Sequence, residues 1–314
     1  MKAAVIGNGN VGMAAFNELL NLGGIDELAL IARPASLAKV QAEVEDYLDA
    51  LVLRPGNAPR LTWGSYEKCA GADVILYAAG VAQKPGQSRL ELVETNVEIV
   101  KSVFAEVDKY NRDGIVICLS NPVDIITQTV VACTRRPRER VIGSGTLLDT
   151  ARLVKHISGM LDLSPAAVNV FVLGEHGDSS CVMWSSLRVL GMSLNEYLSG
   201  DLGEEAAVSE SKLVQIVRGS AGKLIRGKGS TAYGVAAAAR RIVSAIAGDT
   251  HEILPVSVLL DGEYGQRGVS VSVPCVLGRA GVLSVKRMNM TEEERAAFES
   301  SCAVLRGTAE RLRR

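Results

Sequence analysis

The chain has 314 residues, 34 Lys and Arg against 35 Asp and Glu, and 47% hydrophobic residues. That length exceeds one ordinary domain, so two domains sharing a long interface are expected. So balanced a charge gives no electrostatic footprint for nucleic acid or an anionic membrane, which leaves a small-molecule site as the expectation.

The first half alternates short apolar runs with amphipathic stretches. "KAAVI" reads as a strand, "VGMAAFNELLNL" as a helix stopped by Gly23 and Gly24, "ELALI" as a second strand, and a helical pattern follows from Ser36 to about Leu51. Next come "DVILYAAG", the polar loop "VAQKPGQSR", and a long helix with Leu92, Val93, Val97, Val100, Phe104 and Val107 at helical spacing. The strand "IVICLS" then ends at Asn121 and Pro122. Helices crossing between such strands predict an α/β fold, a Rossmann-type doubly wound parallel sheet over 1–143.

The texture changes near Gly143, and residues 144–314 predict an α+β substrate domain. A helix over "TLLDTARLVKHISGML" leads to the apolar "VFVL" and the turn "GEHGD". Two helical stretches around 204–227 and 231–247 precede the β-rich runs "ILPVSVLL" and "GVSVSVPCVLG". A last helix opens on the capping box Thr291 to Glu294 and runs to Arg314. Six cysteines lie far apart, with no C-x-x-C pair or histidines at metal-ligand spacing, so no metal site is expected. A reduced, cytoplasmic compartment fits them, and neither a targeting signal nor a membrane span is read.

Residues 7–12 read G-N-G-N-V-G between the first strand and the first helix. In that context Gly7 makes the turn, Gly9 lets a pyrophosphate approach the backbone, Gly12 packs helix on strand, and the helix N-terminus offers free N–H groups. The same fingerprint expects an acid about twenty residues past the last glycine, on the ribose hydroxyls. That place holds Ala32, followed by Arg33, while Asp26 and Glu27 stand at the wrong end of the strand.

Three histidines limit imidazole chemistry. His156 within a helix and His251 in a turn read as surface or packing residues. His176, in a turn of small residues after a strand, is held still and accessible. Arg89 begins the long helix, where a cation is electrostatically unfavourable, and its glycine-bearing loop leaves the ligand-binding edge of the sheet. Asp149 and Arg152, three apart on one helix, read either as a surface ion pair or as a buried acid orienting a histidine beside an arginine that forks onto a carboxylate.

"GNGNVG", "SNPVD", "GSGTLLDTAR" and "GEHGD", in this order, resemble the lactate/malate dehydrogenase family over essentially the whole chain. The resemblance implies His176 as acid/base, Asp149 as its partner, Arg152 as the substrate-carboxylate anchor, and Arg89 as the lid residue polarising the carbonyl. Asn121 then lies near substrate and nicotinamide. The cofactor set becomes Gly7, Gly9, Asn10, Val11, Gly12, Arg33, Gly80 and Asn121. Malate-type members carry an arginine where this chain has Gln83, and Thr231 matches the lactate-type pocket, so the resemblance is closest to the L-lactate dehydrogenases acting on pyruvate. A hydroxyisocaproate-type or malate-type specificity, and a catalytically silent nucleotide-binding protein, are the alternatives; a metal-dependent glycosidase would need ligands the chain does not space. The implied cofactor is NAD, or NADP in view of Ala32 and Arg33. The implied assembly is a homotetramer or homodimer. Val154 and Asn169 replace the basic residue and histidine of members activated by fructose 1,6-bisphosphate, so no such activation is expected.

Overall fold

In the computed structural model the described residues are 1–53, 56, 58–81, 89–201 and 209–312, with nothing stated of the side chains of 89, 90, 200, 201 and 221. β1 (Lys2–Ile6), α1 (Asn10–Leu20), β2 (Glu27–Ile31), α2 (Leu37–Val52), β3 (Arg60–Gly64) and β4 (Val74–Tyr77) are followed by α3 (Arg89–Val107), β5 (Ile115–Cys118), α4 (Val123–Cys133) and β6 (Val141–Gly143). These strands lie parallel in the order β3-β2-β1-β4-β5-β6. The order reverses between β1 and β4, and a crevice at their carboxyl ends is where doubly wound sheets bind ligands.

Both faces of this sheet are covered, which is why its strands read as unbroken apolar runs. Ala3, Val5, Leu28, Leu30, Val74 and Leu76 share a core with α1 residues Ala15, Phe16 and Leu19. Their neighbours Ala4, Ile6, Ala29, Ile31, Ile75 and Tyr77 pack with Val100 and Phe104 of α3 and Ile126 and Val130 of α4. The alternation follows the two-residue period of a strand.

The second half supplies α5 (Leu147–Met160), the short strands β7 (Val168–Asn169), β8 (Val172–Leu173), β9 (Cys181–Val182), β10 (Arg188–Val189) and β11 (Met192–Ser193), and α6 (Leu194–Asp201). Then come α7 (Glu210–Lys228), α8 (Tyr233–Ala247), β12 (Glu252–Asp261), β13 (Arg267–Gly278), β14 (Gly281–Val285) and α9 (Glu292–Arg311). β12 pairs antiparallel with β6 through Ser257 and Gly143, so the two halves share one sheet of mixed direction. No helix of the described residues is long and apolar enough to cross a membrane.

Several elements differ from the sequence reading. β3, α4 and β6 were not anticipated: β3 is short with a polar Thr62, and β6 has three residues, too few to show a period. Of "VFVL" only Val172 and Leu173 form a strand. α7 begins at Glu210 rather than 204, residues 202–208 lying outside the described set, and Ser209 caps it by accepting from the Lys212 N–H. α8 begins at Tyr233 rather than 231. α9 ends at Arg311, and its capping box is formed, Thr291 Oγ1 accepting from the Glu294 N–H at 3.2 Å.

Candidate active site

The glycine loop closes the step from β1 to α1. Gly7 has φ +116°, and a Cβ there would stand 2.8 Å from the Ala78 carbonyl carbon, so only glycine fits between β1 and β4. At Gly12 a Cβ would lie 1.9 Å from the Gly7 carbonyl oxygen, which forces helix and loop together. Gly9 is the opposite case: a Cβ there meets nothing within 4 Å, and no side chain caps the helix it precedes. Unpaired N–H groups facing open space at the sheet's carboxyl edge fit a pyrophosphate. Asn10, first in α1, donates to Ser230 Oγ at 3.0 Å and so ties the loop to the α7–α8 connection. Val11 is half-buried beside it.

Ala32 follows β2 with its N–H on the Gly64 carbonyl at 3.1 Å, and its side chain is buried. Arg33 follows in extended conformation and is exposed. Lys39, which the sequence reading passed over, brings its Nζ to 3.4 Å from the Asn8 carbonyl. Two cations therefore flank the exit of β2 where an acid was expected. Glu27 is spent elsewhere, pairing with Lys2 and Arg60 at the strand's other end.

His176 is held from four directions. Thr150 Oγ1 accepts from the Val172 N–H at 3.0 Å, fixing the short strand to α5. Gly174 exchanges backbone hydrogen bonds with Ser272 of β13, and the Glu175 N–H donates to Ser301 Oγ of α9 at 2.7 Å. The His176 N–H donates to Asp124 Oδ2 at 2.8 Å. Its ring Nδ1 lies 2.5 Å from Asp149 Oδ2. A carboxylate only accepts when ionised, so Nδ1 carries the proton and Nε2 is left for chemistry.

Asp149 and Arg152 are one helical turn apart on α5, and Arg152 NH1 donates to Asp149 Oδ1 at 2.9 Å. Their side chains are 9% and 11% exposed, which excludes the surface ion pair and leaves the buried, orienting acid. Burial opposes ionisation of Asp149, but the charges and hydrogen bonds of His176 and Arg152 outweigh it and hold the carboxyl below its ordinary value. Burial likewise pulls the His176 imidazole down, and Asp149, with a smaller pull from Asp124, carries it above its ordinary value. The arrangement favours a histidine able to keep a proton near neutral pH and to release it through Nε2. Arg152 spends one guanidinium N–H on Asp149 and has others left to fork onto a carboxylate.

Sequence reasoning missed Asp124, although it lies in the quoted "SNPVD". It occupies the first turn of α4, is 2% exposed, and takes hydrogen bonds from the His176 backbone and from Ser257 Oγ at 2.6 Å. An acid at a helix N-terminus just after a sheet strand was the available signal.

Thr231 and Arg152 line one cavity between α5 and α7. Asn121 follows β5 and is exposed, its carbonyl accepting from Asn96 Nδ2 at 3.1 Å. Gly80 follows β4, and a Cβ there would lie 3.1 Å from Asn96 Oδ1. Arg89 is the first residue of α3, as expected, but its side chain is not described, and Gln83 lies outside the described residues. His251 is exposed in a turn and stands 3.7 Å from Asp249.

Comparison with known proteins points to one family. Residues 1–143 match the family model described as lactate/malate dehydrogenase, NAD binding domain, and residues 146–313 the one described as lactate/malate dehydrogenase, alpha/beta C-terminal domain. The L-lactate dehydrogenase 2 of Staphylococcus aureus is 38% identical over 313 residues, 99% of this chain and 97% of that protein. A lactate dehydrogenase enzyme, MGS-M5, from a Medee basin deep-sea metagenome library superposes with a TM-score of 0.93 at 32% identity, over 100% of this chain and 99% of the other. The minor L-lactate dehydrogenase of Enterococcus mundtii, in a ligands-bound form, gives 0.92 at 36% identity, over 98% and 97%.

Proposed function

Since the chain belongs to the lactate/malate dehydrogenase family and carries its NAD-binding domain, we propose that it interconverts pyruvate and L-lactate, with His176 as the acid/base. The observation that carries this reading is the His176–Asp149–Arg152 cluster, in which one buried carboxylate serves both the imidazole at 2.5 Å and the guanidinium at 2.9 Å. A nicotinamide cofactor held at the Gly7–Gly12 loop would supply the hydride that C2 takes. His176 Nε2 gives its proton to the C2 oxygen during reduction and takes it back during oxidation. Asp149 fixes the tautomer and stabilises the imidazolium, and Arg152 grips the substrate carboxylate. Arg89 stabilises the charge developing on the oxygen, with Thr231, Asn121 and Gln83 completing the substrate pocket.

The same reading divides the chain at 143/144 into a dinucleotide-binding and a substrate domain, and it has the protein act as a homodimer or homotetramer in the cytoplasm. The cofactor set is Gly7, Gly9, Asn10, Val11, Gly12, Arg33, Gly80 and Asn121. The buried Ala32, followed by the exposed Arg33 and with Lys39 at the Asn8 carbonyl, supports use of NADP(H) beside NAD(H), since position 32 itself carries no carboxylate to repel a 2′-phosphate.

One assay panel tests the function: pyruvate, oxaloacetate and branched 2-oxo acids, each with NADH and with NADPH. Pyruvate is expected to give the highest kcat/KM of the three types. Absence of turnover with every 2-oxo acid overturns the reading. Sedimentation of a monomer rejects the assembly.

A further inference from the structure

A cavity of about 820 Å³ lies between α5 and α7 and contains both Arg152 and Thr231. That volume suits a drug-sized ligand, and the methyl group of pyruvate uses little of it. Its apolar lining includes Leu148 from α5 and Ile216 and the exposed Leu224 from α7. Gly219 opens onto it: a Cβ there meets nothing within 4 Å. A glycine inside a helix weakens that helix, so the space comes at the expense of α7.

The rim is cationic. Lys155 and His156 stand at i+3 and i+4 from Arg152, one turn further along α5. Lys223 and Arg226 face the same cavity from α7, and no Asp or Glu lines it among the described residues. Nor does Lys155, Lys223 or Arg226 hold an ion pair among the described residues. The crowding is felt at His156, which burial and then the charges of Lys155 and Lys223 hold below its ordinary value. Like charges gathered without a counter-charge repel one another, and an entering anion relieves that repulsion.

We infer that the cleft takes a second class of substrate, 2-oxo acids whose apolar chain ends in another anionic group. The C1 carboxylate binds Arg152, the chain lies over Leu148, Ile216 and Leu224, and the distal carboxylate meets Lys155 and Lys223. The inference rests on the proposed roles of His176 and Arg152: His176 lines the neighbouring cavity with Asp124, and Arg152 joins the two through Asp149, which both residues contact. The reaction itself is unchanged. C2 is reduced as the nicotinamide is oxidised, the C2 oxygen takes the His176 proton, and the product is the 2-hydroxy diacid, whose distal group takes no part. Oxaloacetate is too short for the rim, its second carboxylate being a single methylene from C2.

The test compares kcat/KM of the unmodified enzyme for pyruvate, 2-oxooctanoate and 2-oxoheptanedioate. Half-burial of the chain is expected to add about twofold per methylene among straight-chain 2-oxo acids longer than pyruvate, with pyruvate itself remaining the best of the monoacids. The diacid is expected to exceed 2-oxooctanoate by about fivefold or more at low ionic strength, an advantage that salt erodes. A Lys155→Gln, Lys223→Gln double variant should cancel that advantage, and Gly219→Leu should lower both long substrates relative to pyruvate. A diacid no better than 2-oxooctanoate overturns the inference and leaves pyruvate reduction standing. Equal losses for pyruvate and the diacid in the double variant also overturn it, because they mean general attraction of anions without a site for the tail. If no 2-oxo acid turns over, the functional reading falls and this inference with it.

Discussion

The backbone N–H of His176 donates to Asp124 Oδ2 at 2.8 Å, so the histidine is gripped by one buried carboxylate at its main chain and by another, Asp149, at its ring. Burial pushes the Asp124 carboxyl up to about 6, against the lowering pull of Ser257 and of the His176 N–H. A folded-state value above the unfolded one means that the contribution is fully present below the unfolded value of 3.8 and is lost as pH rises through about 6. The ionised form then costs the fold about 3 kcal/mol. Asp124→Asn keeps an acceptor for the His176 N–H and removes the charge. Its melting temperature relative to the parent should therefore be higher at pH 8 than at pH 5. Thermal unfolding at the two pH values checks this, and an identical shift at both would count against it. Loss of the Asp124 charge should also move the His176 limb of the pH–rate profile towards lower pH, because that charge helps to raise the imidazole.

His176→Asn removes the proton donor and leaves the Gly7–Gly12 loop untouched. Turnover should vanish while cofactor affinity stays nearly intact, as measured by steady-state kinetics and by fluorescence titration with the reduced cofactor. Retention of more than a few per cent of kcat would sink the assignment. Asp149→Asn can no longer hold the tautomer, and it removes the pull that raises His176. A loss of kcat on the order of 10³-fold or more is expected.

Much of this site was legible in the sequence because its chemistry depends on short-range patterns. Three glycines at the β1–α1 step declare a close backbone approach, and the turn around His176 follows an apolar run. Whether Asp149 and Arg152 formed a surface pair or a buried one was not legible. Spacing on α5 is the same in both cases, and only the packing of the turn around His176 against the start of α5 brings the imidazole to Asp149. Asp124 was hidden for the same reason: its partners Ser257 and His176 are 133 and 52 residues away in sequence. Lys39 was passed over because a lysine on an amphipathic helix is ordinarily solvated. β6 carries only "VIG", too short for a period, yet it joins the two halves of the sheet through Gly143 and Ser257.

Gln83 tests the choice between pyruvate and oxaloacetate. A neutral amide leaves the second carboxylate of oxaloacetate unpaired in a closing site. Gln83→Arg supplies the missing cation and should raise the oxaloacetate-to-pyruvate ratio of kcat/KM by about tenfold or more. An unchanged ratio would show that residue 83 does not face the substrate.

Fructose 1,6-bisphosphate should not activate this enzyme. Val154 is packed against an apolar cluster that includes Leu153 and Ile157, and Asn169 is exposed and neutral in β7, so neither supplies a cation for the effector's phosphates. A several-fold fall in the KM for pyruvate on adding the bisphosphate would refute this.

The residues after β2 test the proposed use of NADP(H). An acid at this position accepts hydrogen bonds from both ribose hydroxyls and repels a 2′-phosphate, and Ala32 does neither. Its methyl group is buried, while Arg33 beside it is exposed, and Lys39 stands at the Asn8 carbonyl. A charge-assisted fork from Arg33 to the phosphate is worth roughly 1.5–3 kcal/mol, or about ten- to a hundredfold in affinity. The unmodified enzyme should therefore use NADPH readily and bind NADH less tightly than an acid at this place would allow. Ala32→Asp should tighten NADH and reject NADPH, and Arg33→Ala should weaken NADPH while leaving NADH nearly unchanged. The check is kcat/KM for both cofactors in all three proteins. Discrimination against NADPH by about a hundredfold or more in the unmodified enzyme would mean that neither Arg33 nor Lys39 reaches the phosphate.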